Sequence, residues 1–299
     1  MAMKTILVPI PDTAVNTAAI EIALVVAKAV GGHVEGLYIE TPQPVTPPSG
    51  RLTGYEAARY AGAGPRAQFA EEEFARAAEA RERAAEQARA EFQRVCAAHG
   101  VPVCAPDAFD PLPSGSWRQA LGSYASAVTA RAPAYDLMVV PNPSTTTPAR
   151  AIAEQTLLET GRPVLLSPAR PESDPSSSAM IAWSPSLQAW RAVTAAMPLM
   201  AKARGVEIVS VGEDDAAVVE SRADVIRYLG WHGITATARQ VKAPSRNVGD
   251  MLLHEAGEAG IGMLVMGAYS HSRVRELLLG GVTRHVLSNV AVTPVFMAH

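Results

Sequence analysis

Cysteine is nearly absent from this 299-residue chain: Cys96 and Cys104 are its only two. Neither has the close spacing or histidine neighbours of a zinc site, so two buried, reduced thiols are expected. Lysine is almost as scarce. Lys4, Lys28, Lys202 and Lys242 are the full set, and none stands in a Gly-Lys-Ser/Thr setting, which excludes a standard P-loop NTPase. There is no surplus of positive charge. A formal charge of −3 and a pI near 6.2 give no general pull toward nucleic acid or an anionic membrane surface. Nor is there a long apolar run: the stretch from Ile20 to Val30 is broken by Glu21 and Lys28, against the roughly 20 apolar residues a bilayer requires. The start, Met1 to Val8, leads into a Pro-containing strand without a signal-peptide core, and a cytoplasmic location is expected. A Gly-x-Ser-x-Gly elbow is also missing, which removes the main support for a serine hydrolase.

What the chain does contain is apolar material and internal order. Hydrophobic residues make up 48% of it, enough for two cores of ordinary size. Ile6-Leu7-Val8-Pro9 has a counterpart in Met180-Ile181-Ala182-Trp183-Ser184-Pro185, and an Ala-rich helical stretch follows each. Gly31 to Glu35, leading into Leu37-Tyr38-Ile39, parallels Arg204 to Glu207, leading into Ile208 to Val211. Asp136 to Val140 parallels Gly262 to Met266, and Arg162 to Leu166 parallels Thr293 to Met297. Helix-period stretches lie between these runs: Trp117 to Arg131, Ala149 to Thr160, Asp214 to Leu229, Asn247 to Ala259 and Val282 to Val290. Short apolar runs alternating with helices predict parallel strands joined by right-handed crossovers.

The Pro- and Ser-rich segment from Ser167 to Ser178 reads as an exposed connector. It divides the chain into an N-terminal domain over 1–168, a linker over 169–178 and a C-terminal domain over 179–299. The first half carries an insertion: a Pro/Gly-rich stretch from Thr41 to Pro65, then a charged, Ala-rich stretch from Gln68 to His99. The latter predicts a long exposed helix, with recruitment of a partner as the alternative. Pro198 should kink or end the helix that contains it.

The chemistry concentrates near the C-terminus. Gly267-Ala268-Tyr269-Ser270 follows the apolar run Met263 to Met266, and nine residues later comes Gly280-Gly281-Val282-Thr283. A buried strand would deliver the backbone to a glycine turn, and the second glycine pair would open a helix whose unpaired N–H groups can hold an anion. This segment resembles the nucleotide-binding signature of the universal stress protein family, and the whole chain resembles that family's tandem form. The resemblance implies an α/β fold of two tandem doubly wound domains, each a five-stranded parallel sheet flanked by helices. Such a fold is Rossmann-like and adenine nucleotide alpha hydrolase-like. The nucleotide would lie across the C-terminal strand ends, a location that open α/β sheets favour in general. The resemblance maps Gly267, Ser270, Gly280, Gly281, Val282 and Thr283 onto positions that wrap ribose and phosphates, with the Thr283 hydroxyl donating to a phosphate oxygen. Ala182, Trp183, Ser184 and Val211 match positions that border adenine and ribose. For Trp183, core packing with Trp190 stands beside adenine contact; for Arg273, solvated charge stands beside phosphate contact. The implied ligand is ATP or AMP, with or without Mg²⁺.

Several positions depart from the family pattern. Ser270 replaces the second signature glycine, a cost of roughly 1–2 kcal/mol if that position needs positive φ. Ser184 stands where ATP-binding members usually place an aspartate, and Gly281 replaces a small hydroxyl residue. The first half lacks the loop altogether. Its equivalent turn is Pro141-Asn142-Pro143-Ser144, and 22 positions separate Pro141 from Pro163, against 27 from Gly267 to Pro294. Two prolines also remove N–H donors there. One nucleotide site per chain is therefore expected, with the first domain kept for packing or regulation. No oriented base or metal ligand is evident, so catalysis would amount at most to a slow ATPase. Ser270-His271-Ser272 lacks an ordered carboxylate, and the His254-Glu255 pair lacks a second histidine one turn on. The rival reading is a nucleotide-independent interaction scaffold that uses Val295-Phe296-Met297 and the charged helix, as a homodimer or as an intramolecular domain pair.

Overall fold

The computed structural model describes residues 2–12, 15–41, 65–109, 111–142, 147–170, 173–212, 216–242, 247–269, 281–290 and 292–299. In the first half the order is β1 (Thr5–Pro11), α1 (Thr17–Val30), β2 (His33–Glu40), α2 (Pro65–Ala98), β3 (Val103–Cys104), β4 (Ser114–Leu121), α3 (Tyr124–Arg131), β5 (Leu137–Val140), α4 (Thr147–Gln155) and β6 (Val164–Leu166). The second half follows with β7 (Ala179–Ala182), α5 (Leu187–Met200), β8 (Val206–Val211), α6 (Ala216–Trp231), β9 (Ala236–Val241), α7 (Val248–Glu258), β10 (Met263–Gly267), α8 (Val282–Asn289) and β11 (Val295–Ala298).

The strands form one sheet in the order β3-β4-β2-β1-β5-β6-β11-β10-β7-β8-β9. All neighbours are parallel except at the centre, where β6 and β11 run antiparallel with Leu165 opposite Phe296. Each half thus has a doubly wound arrangement that grows outward from its own first strand, and the two meet through their last strands. One helix layer carries α1, α2, α5 and α6, and the opposite layer carries α3, α4, α7 and α8; each layer's core is continuous across both halves. Coverage on both faces explains why β1, β5, β6, β10 and β11 read as near-continuous apolar runs.

Local signals set the helix ends. Asn16 accepts the Ala19 N–H and starts α1, and Gly31 at φ 60° closes it. Ser186 and Asn247 cap α5 and α7 in the same way. Pro198 falls two residues before the end of α5, consistent with early termination.

Several expectations change. Residues 117–121, expected in a helix, belong to β4, and only 124–131 are helical. The strand β4 and its counterpart β9 are members of each half that the apolar runs did not reveal, because few of their residues are apolar. The helix α2 is exposed over 75–80, but further along Ala85, Ala88, Phe92, Val95 and Cys96 are buried against the sheet and α1. Of the two free thiols, Cys96 is buried while Cys104 is only partly so. The connector is less open than its composition suggests. Ser173 Oγ donates to the Ile261 carbonyl, and Gly262 N–H donates to Ser178 Oγ at 3.0 Å. Finally, β11 is an interior strand, so the final apolar run has no free edge to offer a second copy.

Candidate functional site

In each half, strand order reverses direction beside the first strand, between β1 and β5 and between β7 and β10. Chains leaving such a pair diverge to opposite faces and open a crevice at the C-terminal strand ends. In the second half, Ala182 ends β7, Val211 ends β8 and Gly267 ends β10. These three fall at the same end of the sheet, with the exposed Ser184 just beyond β7. Past Val211, Gly212 takes φ 119°, a turn that a side chain would oppose, and its N–H donates to the Val241 carbonyl. The helix α8 starts at Val282 with Gly281 as its cap, a residue that has no side chain to offer its first amides. Ser270, Arg273 and Gly280 lie outside the described residues.

Three expected contacts acquire a different physical basis. The Trp183 ring is buried in the core, meets Trp190 edge-on at 5.1 Å and donates from Nε1 to Ser221 Oγ at 3.1 Å. The packing alternative holds for that ring. Gly267 is closed in by the first turn of α5: an added Cβ would stand 2.6 Å from the Ala189 nitrogen and 2.8 Å from the Gln188 carbonyl carbon. Its lack of a side chain serves close helix approach, not extra room for a phosphate. The Thr283 side chain, whose hydroxyl was expected to donate to phosphate, is buried, and its Oγ1 accepts the Tyr269 N–H at 3.1 Å, a bond that leaves its own O–H a donor. Val282 remains partly exposed on the first turn of α8.

Positive φ appears at Tyr269 (55°), next to the position where it was anticipated, and Tyr269 is the one non-glycine residue with positive φ among the described residues. Sequence gave no signal for it, because tyrosine rarely adopts that conformation and its partners lie on α8 and at the chain's end. The turn is anchored further by Ala268, whose N–H donates to the Ala298 carbonyl at 2.8 Å and whose carbonyl lies 2.9 Å from His299 Nδ1. On the other side, Gly249 in α7 sits where a Cβ would meet His285 and the Val282 carbonyl at 3.2 Å, so the start of α8 rests directly on α7.

The corresponding region of the first half is used differently. Asn142 follows β5 where Ala268 follows β10, and its buried side chain donates to the Val290 carbonyl at the end of α8, at 3.0 Å. Arg150 on α4 reaches Ser288 Oγ, also at 3.0 Å. Across the first-half crevice, Asp12 accepts from the Thr41 N–H at 2.9 Å and from the Tyr124 hydroxyl. Burial and the Asp12 carboxylate together push the Tyr38 phenol above its ordinary range. Among the described residues no group of three or more metal-ligating side chains converges anywhere.

No protein-family model matches the sequence, and no curated protein matches it either. Solved structures do. A universal stress protein from Archaeoglobus fulgidus superposes with a TM-score of 0.65 at 15% identity, covering 98% of this chain and 95% of its own. A Pseudomonas aeruginosa protein described as functionally unknown gives a TM-score of 0.52 at 14% identity, covering 99% of this chain and 92% of its own. These full-length superpositions establish that the α/β fold, with its largely parallel sheet flanked by helices, is one found among universal stress proteins.

Proposed function

We propose that the chain is a universal stress protein of the tandem form, with domains over 1–168 and 179–299, and that its second domain binds ATP or AMP as a regulatory ligand. The observation that carries this reading is the reversal of strand order between β7 and β10, beside which stand the Gly267–Tyr269 turn and a helix start with glycine as its cap. An aligned set of main-chain donors at a helix start favours an anionic group and needs no lysine. The signature spacing of Gly267, Ser270, Gly280, Gly281, Val282 and Thr283 supports the same ligand class. Ala182, Trp183, Ser184 and Val211 would border the adenosine through backbone and strand-end contacts, while Gly281 and Val282 would offer main-chain amides to the phosphates. Arg273 is kept as a phosphate contact on sequence grounds alone.

No residue in the described part of the crevice pairs a base with an oriented acid, so the role assigned is binding, with turnover slow if it occurs at all. Calorimetric titration with ATP and AMP, with and without Mg²⁺, tests the reading. Gly281→Asp is the informative variant: aspartate is a strong helix cap, so folding should survive, yet its carboxylate would occupy the amides and repel phosphate. A loss of at least about tenfold in affinity is expected. Equal affinity in wild type and variant would remove the site assignment.

A further inference from the structure

Thr283 lies on the first turn of α8, in the segment expected to touch phosphate, but only 3% of it is exposed. Its oxygen is engaged by the Tyr269 N–H. Tyr269 is held at φ 55°, a left-handed conformation that L-residues avoid unless their surroundings enforce it. The ring of Tyr269 stands 6.1 Å from that of His299, and the preceding residue is tied to β11 through Ala298. The turn after β10 is therefore fixed to the chain's end by the Ala298 carbonyl and the His299 ring, and to α8 through the Thr283 hydroxyl. That turn and the first turn of α8 stand side by side on the β10 side of the crevice.

We infer that Thr283 is a positioning residue: its hydroxyl holds Tyr269 in the left-handed turn and thereby fixes that turn against the first amides of α8, while the phosphates are met by the main-chain amides of Gly281 and Val282. This inference rests on the nucleotide reading above. It assigns the threonine a role that a directly coordinating hydroxyl would not have, because its effect on binding must pass through the conformation of residue 269. A glycine at 269 adopts positive φ without enforcement, so in that background the hydroxyl becomes dispensable. Serine preserves the accepting oxygen; valine keeps the shape and removes it.

The test is a cycle of Thr283→Val and Thr283→Ser, each made in the wild-type chain and together with Tyr269→Gly. ATP affinity is measured by calorimetry, and exchange of the residue 269 amide is followed by NMR in the absence of nucleotide. Thr283→Val is expected to weaken ATP binding about tenfold and to speed amide exchange by a similar factor. Thr283→Ser should restore both. With Tyr269→Gly present, Thr283→Val should alter affinity by less than about twofold. The same loss of affinity in both backgrounds would overturn the inference in favour of direct phosphate contact, and so would a Tyr269 amide that exchanges equally slowly in wild type and Thr283→Val. Wild-type protein that binds neither ATP nor AMP would overturn the nucleotide reading, and the exchange measurement alone would then decide the role of the hydroxyl in the turn.

Discussion

A single methyl group at position 267 would press on the backbone of Ala189 and Gln188 at the start of α5, atoms that cannot rotate away as a side-chain tip can. Gly267→Ala should therefore destabilise the protein by about 1–3 kcal/mol, read from the midpoint shift in a urea melt. His33 is the clearest titratable counterpart. Its Nδ1 lies 2.9 Å from Ser114 Oγ and its Nε2 lies 2.8 Å from Ser116 Oγ, both serines being fully buried. Burial lowers its pKa below 6.5, and the nearby Glu35 carboxylate opposes that shift without cancelling it. The unfolded chain thus binds the proton more readily than the folded one. The contribution of His33 to stability is complete above pH 6.5 and is lost as the pH falls below that value. Comparing melting temperatures of wild type and His33→Asn between pH 5 and 8 should show a difference that narrows on the acidic side. Cys96 stays a thiol throughout, since burial pushes it up to about 12. At this scale the sequence announced which residue types matter, and core packing of Trp183 with Trp190 was one of its readings, but it did not show the neighbours of several of them. The partners of Gly267, Thr283 and Trp183 come from α5, Tyr269 and Ser221, and no local pattern names such neighbours.

Among the elements, α2 shows how composition can conceal a face. Its charged surface carries pairs such as Glu79–Arg83, exposed on both sides, while its C-terminal turns place Phe92 over Gly36 and against Trp117 at 5.5 Å. Phe92→Ala should cost about 3–5 kcal/mol by chemical denaturation, whereas Arg83→Ala should stay within about 0.5 kcal/mol. Strands tell a related story. Glu35 on β2 binds Arg118 on β4 through both carboxylate oxygens at 3.1 Å, and Glu207 on β8 binds Arg239 on β9 at 2.9 Å. In each case the arginine sits opposite the residue two places after the glutamate, Leu37 or Val209. The two halves thus repeat a side-chain pair as well as a strand order. That repetition went unseen because β4 and β9 carry few apolar residues. The apolar strands, the main helices and their caps were legible because period, capping residue and burial all agreed.

For the molecule as a whole, the junction at β6 and β11 matters most. Backbone pairing there is reinforced by Asn142 bonding to the end of α8, by Arg150 at Ser288 and by two helix layers whose cores run through both halves. Asn142→Ala would leave the Val290 carbonyl without that donor and should cost about 1–3 kcal/mol. With cores shared in this way, the full chain is expected to unfold in one transition. Far-UV circular dichroism should then coincide with tryptophan fluorescence, which reports Trp117 in the first half and Trp183, Trp190 and Trp231 in the second. Two separated transitions would contradict the coupling. What the sequence alone determined was the alternation of buried strands and helices, its repetition, and the loss of a glycine loop from the first half, because each follows from short-range pattern and from residue identity. The joining of the two sheets into one, the contacts of Gly267 with α5 and of Thr283 with Tyr269, and the use of Asn142 as a clasp were decided only in three dimensions. They depend on which distant backbone atoms arrive within bonding distance, and side-chain periodicity carries no record of that.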